Sequence, residues 1–402
     1  MKQEIENNLP SAIDFLCNLI RYKSLSGAEI ECAAFIYEQM APLVDEIEKI
    51  PLKQSLTKDP DYSTPVPDLQ YEGRFNLRLV KKGTGEREPV LFNTHIDVVP
   101  AASDAAFEPR VVEQHSVFGR GACDAKGQIA TLYLLLNLLK AERIQPKGDI
   151  IIHLVVEEEN GGNGTLAAVR RGEQAGAAIV LEPSALKILP SVRGAVWFRV
   201  ICRGRSGHSG SAGQTISALK QAIEAIDILE RYHARLLNES RGIALFDAFE
   251  NPMPITFGKF HAGNWPATAP ETAIFEGVLG LLPNKTRFQV MQEMEDAIRT
   301  NGNEWLKQNF QLEFMYKHDA HVLPLDHPLV GAMTAACKKT GFEPAISAMV
   351  ASCDSWMINN QLKIPTVVFG PGDLRHAHTI DERIDTRQMA TAAEVLLHFL
   401  LT

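Results

Sequence analysis

Five short stretches of this chain carry side chains that bind metals or move protons. The first is His95-Ile96-Asp97, at the end of an apolar run. A neutral imidazole is a ligand for zinc-like metals. Asp97, two residues on in extended chain, reaches the same side, where a carboxylate can fix the imidazole tautomer. The second runs from Gly119 to Gly127 and centres on Asp124. Asp124 is read either as a ligand or as the N-cap of the helix that follows. The third is Glu157-Glu158-Glu159-Asn160-Gly161-Gly162, directly after the apolar Ile151 to Val156. Three carboxylates leaving so apolar a strand need a counter-charge, and a bound dication supplies one. The fourth is Leu181-Glu182-Pro183-Ser184, whose acid the proline holds extended. The fifth, Gly370 to Thr379, contains the pair His376 and His378, of which one or both could ligate. Each stretch alone also reads as an ordinary loop. Together they offer enough N and O donors for two divalent metals, with one carboxylate left over. The histidine and carboxylate mix, without cysteine, suits catalytic zinc, with cobalt or manganese as alternatives.

These donors need a rigid sheet behind them. Asn76 to Lys81, the run from Pro89 to His95, Asp149 to Val156, Ala177 to Leu181 and Pro365 to Phe369 read as strands. Ser11 to Ile20, Gly27 to Leu43, Ala125 to Ala141, Gly164 to Arg171, Pro328 to Thr340 and Gln388 to Leu400 read as helices. Strands alternating with helices predict an α/β fold. From Ala195 to Tyr316 the order changes to β-α-β-β-α-β, the split ferredoxin-like unit. The expected organisation is therefore a discontinuous metal-binding domain, residues 1–188 and 318–402, interrupted by a second domain at 189–317. Leu56 to Glu72 and Leu237 to Pro252 read as irregular loops.

Composition narrows the class without naming a function. The 402 residues include 40 basic and 49 acidic side chains, for a net charge of −9, with no basic run longer than a pair. That excludes a nucleic-acid binder with a basic face. Six scattered cysteines (Cys17, Cys32, Cys123, Cys202, Cys337 and Cys353) contain no C-x-x-C pair and suit a reducing compartment. The polar stretch Met1 to Pro10 does not read as a signal peptide, and no apolar run is long enough for a membrane span. The expectation is a soluble cytoplasmic protein.

Asn93 to Pro100, Gly119 to Gly127, Glu157 to Thr165, Leu181 to Ser184, Gly207-His208-Ser209-Gly210 and Phe369 to Glu382 occur in that order. In this they resemble the co-catalytic zinc aminopeptidase-type amidohydrolases. That family includes acetylornithine deacetylase, succinyl-diaminopimelate desuccinylase, aminoacylase-1, carboxypeptidase G and carnosinase. The resemblance implies an aminopeptidase-like catalytic domain, a mixed sheet flanked by helices, with the ferredoxin-like insertion as lid and homodimerisation domain. It implies that Asp124 bridges two metals, followed by a cis peptide. His95 and Glu182 would complete one site, and Glu159 and His378 the other. Glu158 would be the general base and Asp97 the residue orienting His95. His208, in the lid, would stabilise an oxyanion, commonly in the partner subunit. A slip of one residue exchanges Glu158 and Glu159; anchoring on Gly161-Gly162 gives the assignment used here. Anchoring on Ala377-His378 and Asp381-Glu382 selects His378 and leaves His376 as a residue of the pocket or one that supports a ligand. Relatives that bind a substrate carboxylate often carry a lid-strand arginine, and here Val278 stands in its place. A substrate carboxylate then falls to Arg193, Arg375 or Asn264. The implied activity is hydrolysis of a small N-acyl amino acid. A dipeptidase or carboxypeptidase with the same machinery is the alternative, and a non-catalytic metal-binding scaffold a third reading.

Overall fold

A computed structural model describes residues 2–113, 115–210 and 213–402. Met1, at the head of the polar N-terminal stretch, lies outside them. Strands β1 (Glu46–Pro51), β2 (Phe75–Lys81), β3 (Val90–His95), β4 (Ile150–Val155), β5 (Ala177–Val180) and β6 (Ile188–Val192) belong to one large sheet. After an interruption that supplies β7 to β10, the chain returns with β11 (His321–Val322), β12 (Ile346–Met349) and β13 (Thr366–Val368). The sheet order is β1-β2-β4-β3-β5-β13-β6-β11, with β12 paired to β6. Its centre is parallel: β4 with β3, β3 with β5 and β5 with β13. All six residues of β4 are buried, as expected for a parallel strand covered on both faces.

Helices α1 (Lys2–Arg21), α3 (Lys126–Ala141), α7 (Pro328–Lys339) and α8 (Thr386–Leu401) contribute to the core against this sheet, while α2 (Ile30–Met40) and α4 (Asn163–Arg171) complete the flanks. The spacing predicts the first helix from Ser11, but α1 starts at Lys2 and runs through Pro10. Pro10 lacks the N–H that would reach back to residue 6. The helix persists because Ile5, Ala12, Phe15, Leu16, Leu19 and Ile20 are buried on one face, and packing overrides local propensity.

The interruption forms β7 (Gly194–Arg203), α5 (Ala218–Glu239), β8 (Ile255–Ala262), β9 (Thr272–Leu281), α6 (Arg287–Asn301) and β10 (Phe310–His318). Its antiparallel sheet has the order β8-β9-β7-β10, the ferredoxin-like arrangement. It has its own core, centred on Phe198, Phe275, Tyr232 and Met294. Among the described residues no helix is long and apolar enough to cross a membrane.

Candidate metal centre

Parallel neighbours end on the same edge of a sheet, and ligands collect beyond those ends. Here β4, β3, β5 and β13 lie side by side in that sense. His95 pairs in register with Val155, Asn93 with Val180, and Val368 with Val180. The loops that leave these four ends carry Glu158, Glu159, Glu182 and His378, and β3 itself ends in His95.

Asp124 stands at the middle of them. Its Oδ1 is 3.0 Å from His95 Nε2, which is 4.0 Å from Glu182 Oε1. Its Oδ2 is 3.4 Å from His378 Nε2, which is 3.0 Å from Glu159 Oε1. Two donors on one tetrahedral zinc, each about 2.1 Å from it, lie roughly 3.4 Å apart. Donor atoms of His95, Asp124 and Glu159 all fall within 4.8 Å of one another. The N-cap alternative for Asp124 fails, because Ala125 takes the N-cap position of α3 and no side chain caps it. The Asp124–Ala125 peptide is cis, as the resemblance implies.

The electrostatics of the cluster also fit bound dications. Burial, with Asp354 adding to it, pushes Glu158 well above the usual carboxylate range. Burial and the charge of Asp124 do the same to Glu182 and raise Glu159 to about 7. Burial lowers His95, but Asp124 and Asp97 outweigh it and lift the imidazole well above its ordinary value. Hydrogen bonds that His378 donates to the Asp124 and Glu159 carboxylates raise it to about 10. The carboxylate charge that raises both imidazoles is charge that divalent cations would balance. Cys123 stays out of the donor set: its Sγ–H points to Asp373 O at 3.4 Å, and burial pushes the thiol up.

Two carboxylates hold the frame. Asp97 is fully buried; its Oδ1 accepts from Glu158 N–H and its Oδ2 from Glu159 N–H, both at 3.1 Å. His95 Nδ1 lies 2.9 Å from the Asp97 backbone carbonyl and 3.4 Å from the same Oδ1, so Asp97 aligns the imidazole through its carbonyl and the Glu158 turn through its carboxylate. Glu382 Oε1 accepts from the N–H groups of Gly121, Cys123 and Asp124 at 2.9, 3.1 and 3.1 Å, and Arg120 pairs with its Oε2. It thereby fixes the loop that presents Asp124. No local signal marks Glu382 for this task, since its partners lie some 260 residues upstream.

Glu157 turns away from the cluster. Its φ of 61° is left-handed, which costs a non-glycine residue roughly 1–3 kcal/mol. The carboxylate accepts from Tyr71 Oη and Asn163 Nδ2, both at 2.8 Å, and pairs with Arg74. Arg74 also binds Glu29 at 2.7 and 3.1 Å. The counter-charge for this third glutamate is therefore a buried arginine from β2's leading edge. Arg74→Ala would leave two buried carboxylates unpaired and is expected to lower unfolding stability by roughly 3–5 kcal/mol. Urea denaturation measures it, and a loss under about 1 kcal/mol would refute the network's importance.

The remaining sequence candidates divide. Arg193, between β6 and β7, donates from Nε to Val350 O at 2.5 Å, and its Nη1 is buried without a partner among the described residues. Arg375 is 85% exposed and bound to Asp373 at 2.6 Å. His376 sits in a short 3-10 turn, where its carbonyl accepts from Thr379 Oγ1 and its N–H donates to Asp373 O, both at 2.8 Å. Asn264 lies beside Trp265 in a hollow of the inserted unit with Ser209 and Ser217. His208 pairs with Thr268 across a two-residue ladder and accepts from Gly210 N–H at 3.0 Å, so its bonds stay within the inserted unit.

A parallel-centred α/β sheet with a His and carboxylate cluster beyond its strand ends defines a metal-dependent hydrolase. Residues 91–402 match peptidase family M20/M25/M40, and the chain belongs to that family, whose members act on amide bonds. The chain is 27% identical over 365 residues to an N-formyl-4-amino-5-aminomethyl-2-methylpyrimidine deformylase of Bacillus subtilis, covering 83% of this chain and 84% of that protein. It is 24% identical over 416 residues to an acetylornithine deacetylase of Klebsiella pneumoniae, covering 98% and 97%. Its fold superposes on a dipeptidase of Saccharomyces cerevisiae with a TM-score of 0.81 at 14% identity, covering 99% of this chain and 96% of the other.

Proposed function

We propose that the protein is a deacylase that hydrolyses the amide bond of a small N-acyl amino acid at a centre of two divalent metals, zinc in the first instance. One observation carries this reading: the two oxygens of Asp124 face separate His and carboxylate pairs at 3.0 and 3.4 Å. His95 and Glu182 would hold one cation, His378 and Glu159 the other, with Asp124 shared. Bound there, the cations would supply Lewis acidity and a water acidified toward neutral pH.

Glu158 takes the proton from the attacking water on a carboxylate oxygen and returns it to the leaving amine nitrogen. Its burial supplies the basicity this needs. Asp97 keeps the base and His95 in mutual alignment. The Nη1 of Arg193, unpaired among the described residues, suits a substrate carboxylate, which Arg375 does not, being spent on Asp373. Six free cysteines, five of them buried, suit a reducing cytoplasmic setting.

Metal-loaded protein assayed against N-formyl, N-acetyl and N-succinyl amino acids beside unblocked dipeptides tests the substrate class. Cleavage of the acylated compounds is expected. Turnover of dipeptides alone would replace this reading with a dipeptidase.

The inserted unit acts as lid and homodimer contact, and His208 stabilises the oxyanion in the partner's site. Mixing His208→Ala with Glu158→Gln protein is then expected to restore activity, to about a quarter of wild type after random reassortment, since half the dimers carry one intact site of two. Confirmed mixed dimers without recovery would rule out action across the interface.

A further inference from the structure

We propose that His318 is a positioning residue for the general base: it ties the turn carrying Glu158 to the last strand of the inserted unit. The proposal rests on the reading of Glu158 as base.

The turn closes on itself through Gly161 N–H to Glu158 O at 2.9 Å and Gly162 N–H to Glu157 O at 2.8 Å. The outward carbonyl of Gly161 lies 2.9 Å from His318 Nε2. A carbonyl only accepts, so Nε2 carries the proton. Burial pushes His318 down to about 3, and the neutral ring leaves a lone pair on Nδ1. Nδ1 accepts from Tyr316 Oη at 2.8 Å, and that oxygen accepts in turn from Ser352 Oγ at 2.7 Å. The donors therefore run one way, from Ser352 through Tyr316 and His318 to Gly161, and fix the tautomer of His318.

The backbone is built to allow this. In β10 a bulge at Met315 lets Phe314 pair with Phe198 while Tyr316 pairs with Trp197. Adjacent residues of β7 face opposite ways, so the bulge turns Tyr316 and His318 from the inserted unit's core toward the Glu158 turn. Trp197 stacks on Tyr316 at 5.0 Å and 14°. Gly161, at φ 101°, has no room for a side chain: a Cβ there would lie 2.4 Å from Ser63 Cβ and 2.8 Å from Tyr316 Cδ2. The turn is clamped between the Ser63 segment and β10. Seating β10 thus places the base, and a displaced β10 would release it.

A buried, satisfied histidine can also be mere packing, so the test separates the two nitrogens. His318→Gln keeps an N–H near the Nε2 position, whereas His318→Asn reaches only the Nδ1 position and leaves Gly161 O without its donor. With metal in excess, and on the N-acyl substrate the wild type turns over, His318→Asn is expected to lower kcat about 30-fold or more with KM within about threefold. His318→Gln is expected to stay within about fivefold of wild type, with both variants melting at the same temperature. Parallel losses, or no loss in either, would overturn the proposal. Should both misfold, Tyr316→Phe keeps it testable. Losing one hydroxyl frees the other tautomer of His318, and kcat should fall about fivefold at constant KM; an unchanged kcat overturns it. If Glu158→Gln retains activity, the base reading fails separately, because the contrast between the two His318 variants is read against wild type alone.

Discussion

Glu158→Gln is expected to lower kcat by about 10²–10⁴-fold, the range that a positioned general acid-base group contributes. Metal content and KM should stay near wild type. The separation follows from geometry. The closest donor contacts around Asp124 involve His95, Glu182, Glu159 and His378, and Glu158 is absent from them. Its backbone N–H is held by Asp97 Oδ1 at 3.1 Å, a bond that glutamine keeps. The substitution removes only the ability to accept a proton. The residue before Glu158 is committed to Arg74 and the one after it to His378, a placement that supports the proposal of Glu158, rather than Glu159, as base. Steady-state kinetics with elemental analysis of the same sample makes the measurement. A variant within about tenfold of wild type would move the base elsewhere.

Asp124→Ala is expected to abolish metal retention altogether. Loss of an outer partner of a metal ligand typically costs roughly 10–100-fold in affinity. Asp124 is instead the donor common to both halves of the cluster, so its loss should exceed that range at both positions. The fold should survive, since Glu382 holds the backbone of this loop through the N–H groups of Gly121, Cys123 and Asp124 itself. Circular dichroism beside elemental analysis after gel filtration distinguishes the outcomes. A folded variant that keeps two equivalents of metal would contradict the bridging role.

The parallel centre of the sheet was legible because β3, β4, β5 and β13 are short apolar runs that each give way abruptly to acids, glycine or histidine. That pattern marks strand ends, and adjacent parallel ends bring residues scattered from His95 to His378 onto one edge. The β-α-β-β-α-β order of the inserted unit was legible for a similar reason, its strands and helices differing plainly in period. Long-range partners were not. Nothing local distinguishes Glu157 from Glu158 and Glu159; the difference is Arg74, more than eighty residues upstream, and a left-handed turn. Glu382 and Arg120, which support Asp124, are equally remote from each other. The short flap strands Arg110–Val112, Ser116–Phe118 and Arg383–Asp385 carry too few residues for a period to show. The bulge at Met315, which directs Tyr316 and His318, depends on the pairing of β10 with β7 and has no signature in composition.

This chain is proposed to hold two cations, one on either side of Asp124. Anomalous diffraction from crystals of the zinc-loaded protein, recorded on both sides of the zinc edge, tests it most directly. Two peaks are expected, one bounded by His95, Glu182 and Asp124 Oδ1, the other by His378, Glu159 and Asp124 Oδ2. A single peak, or density away from Asp124 at full zinc loading, would contradict the account.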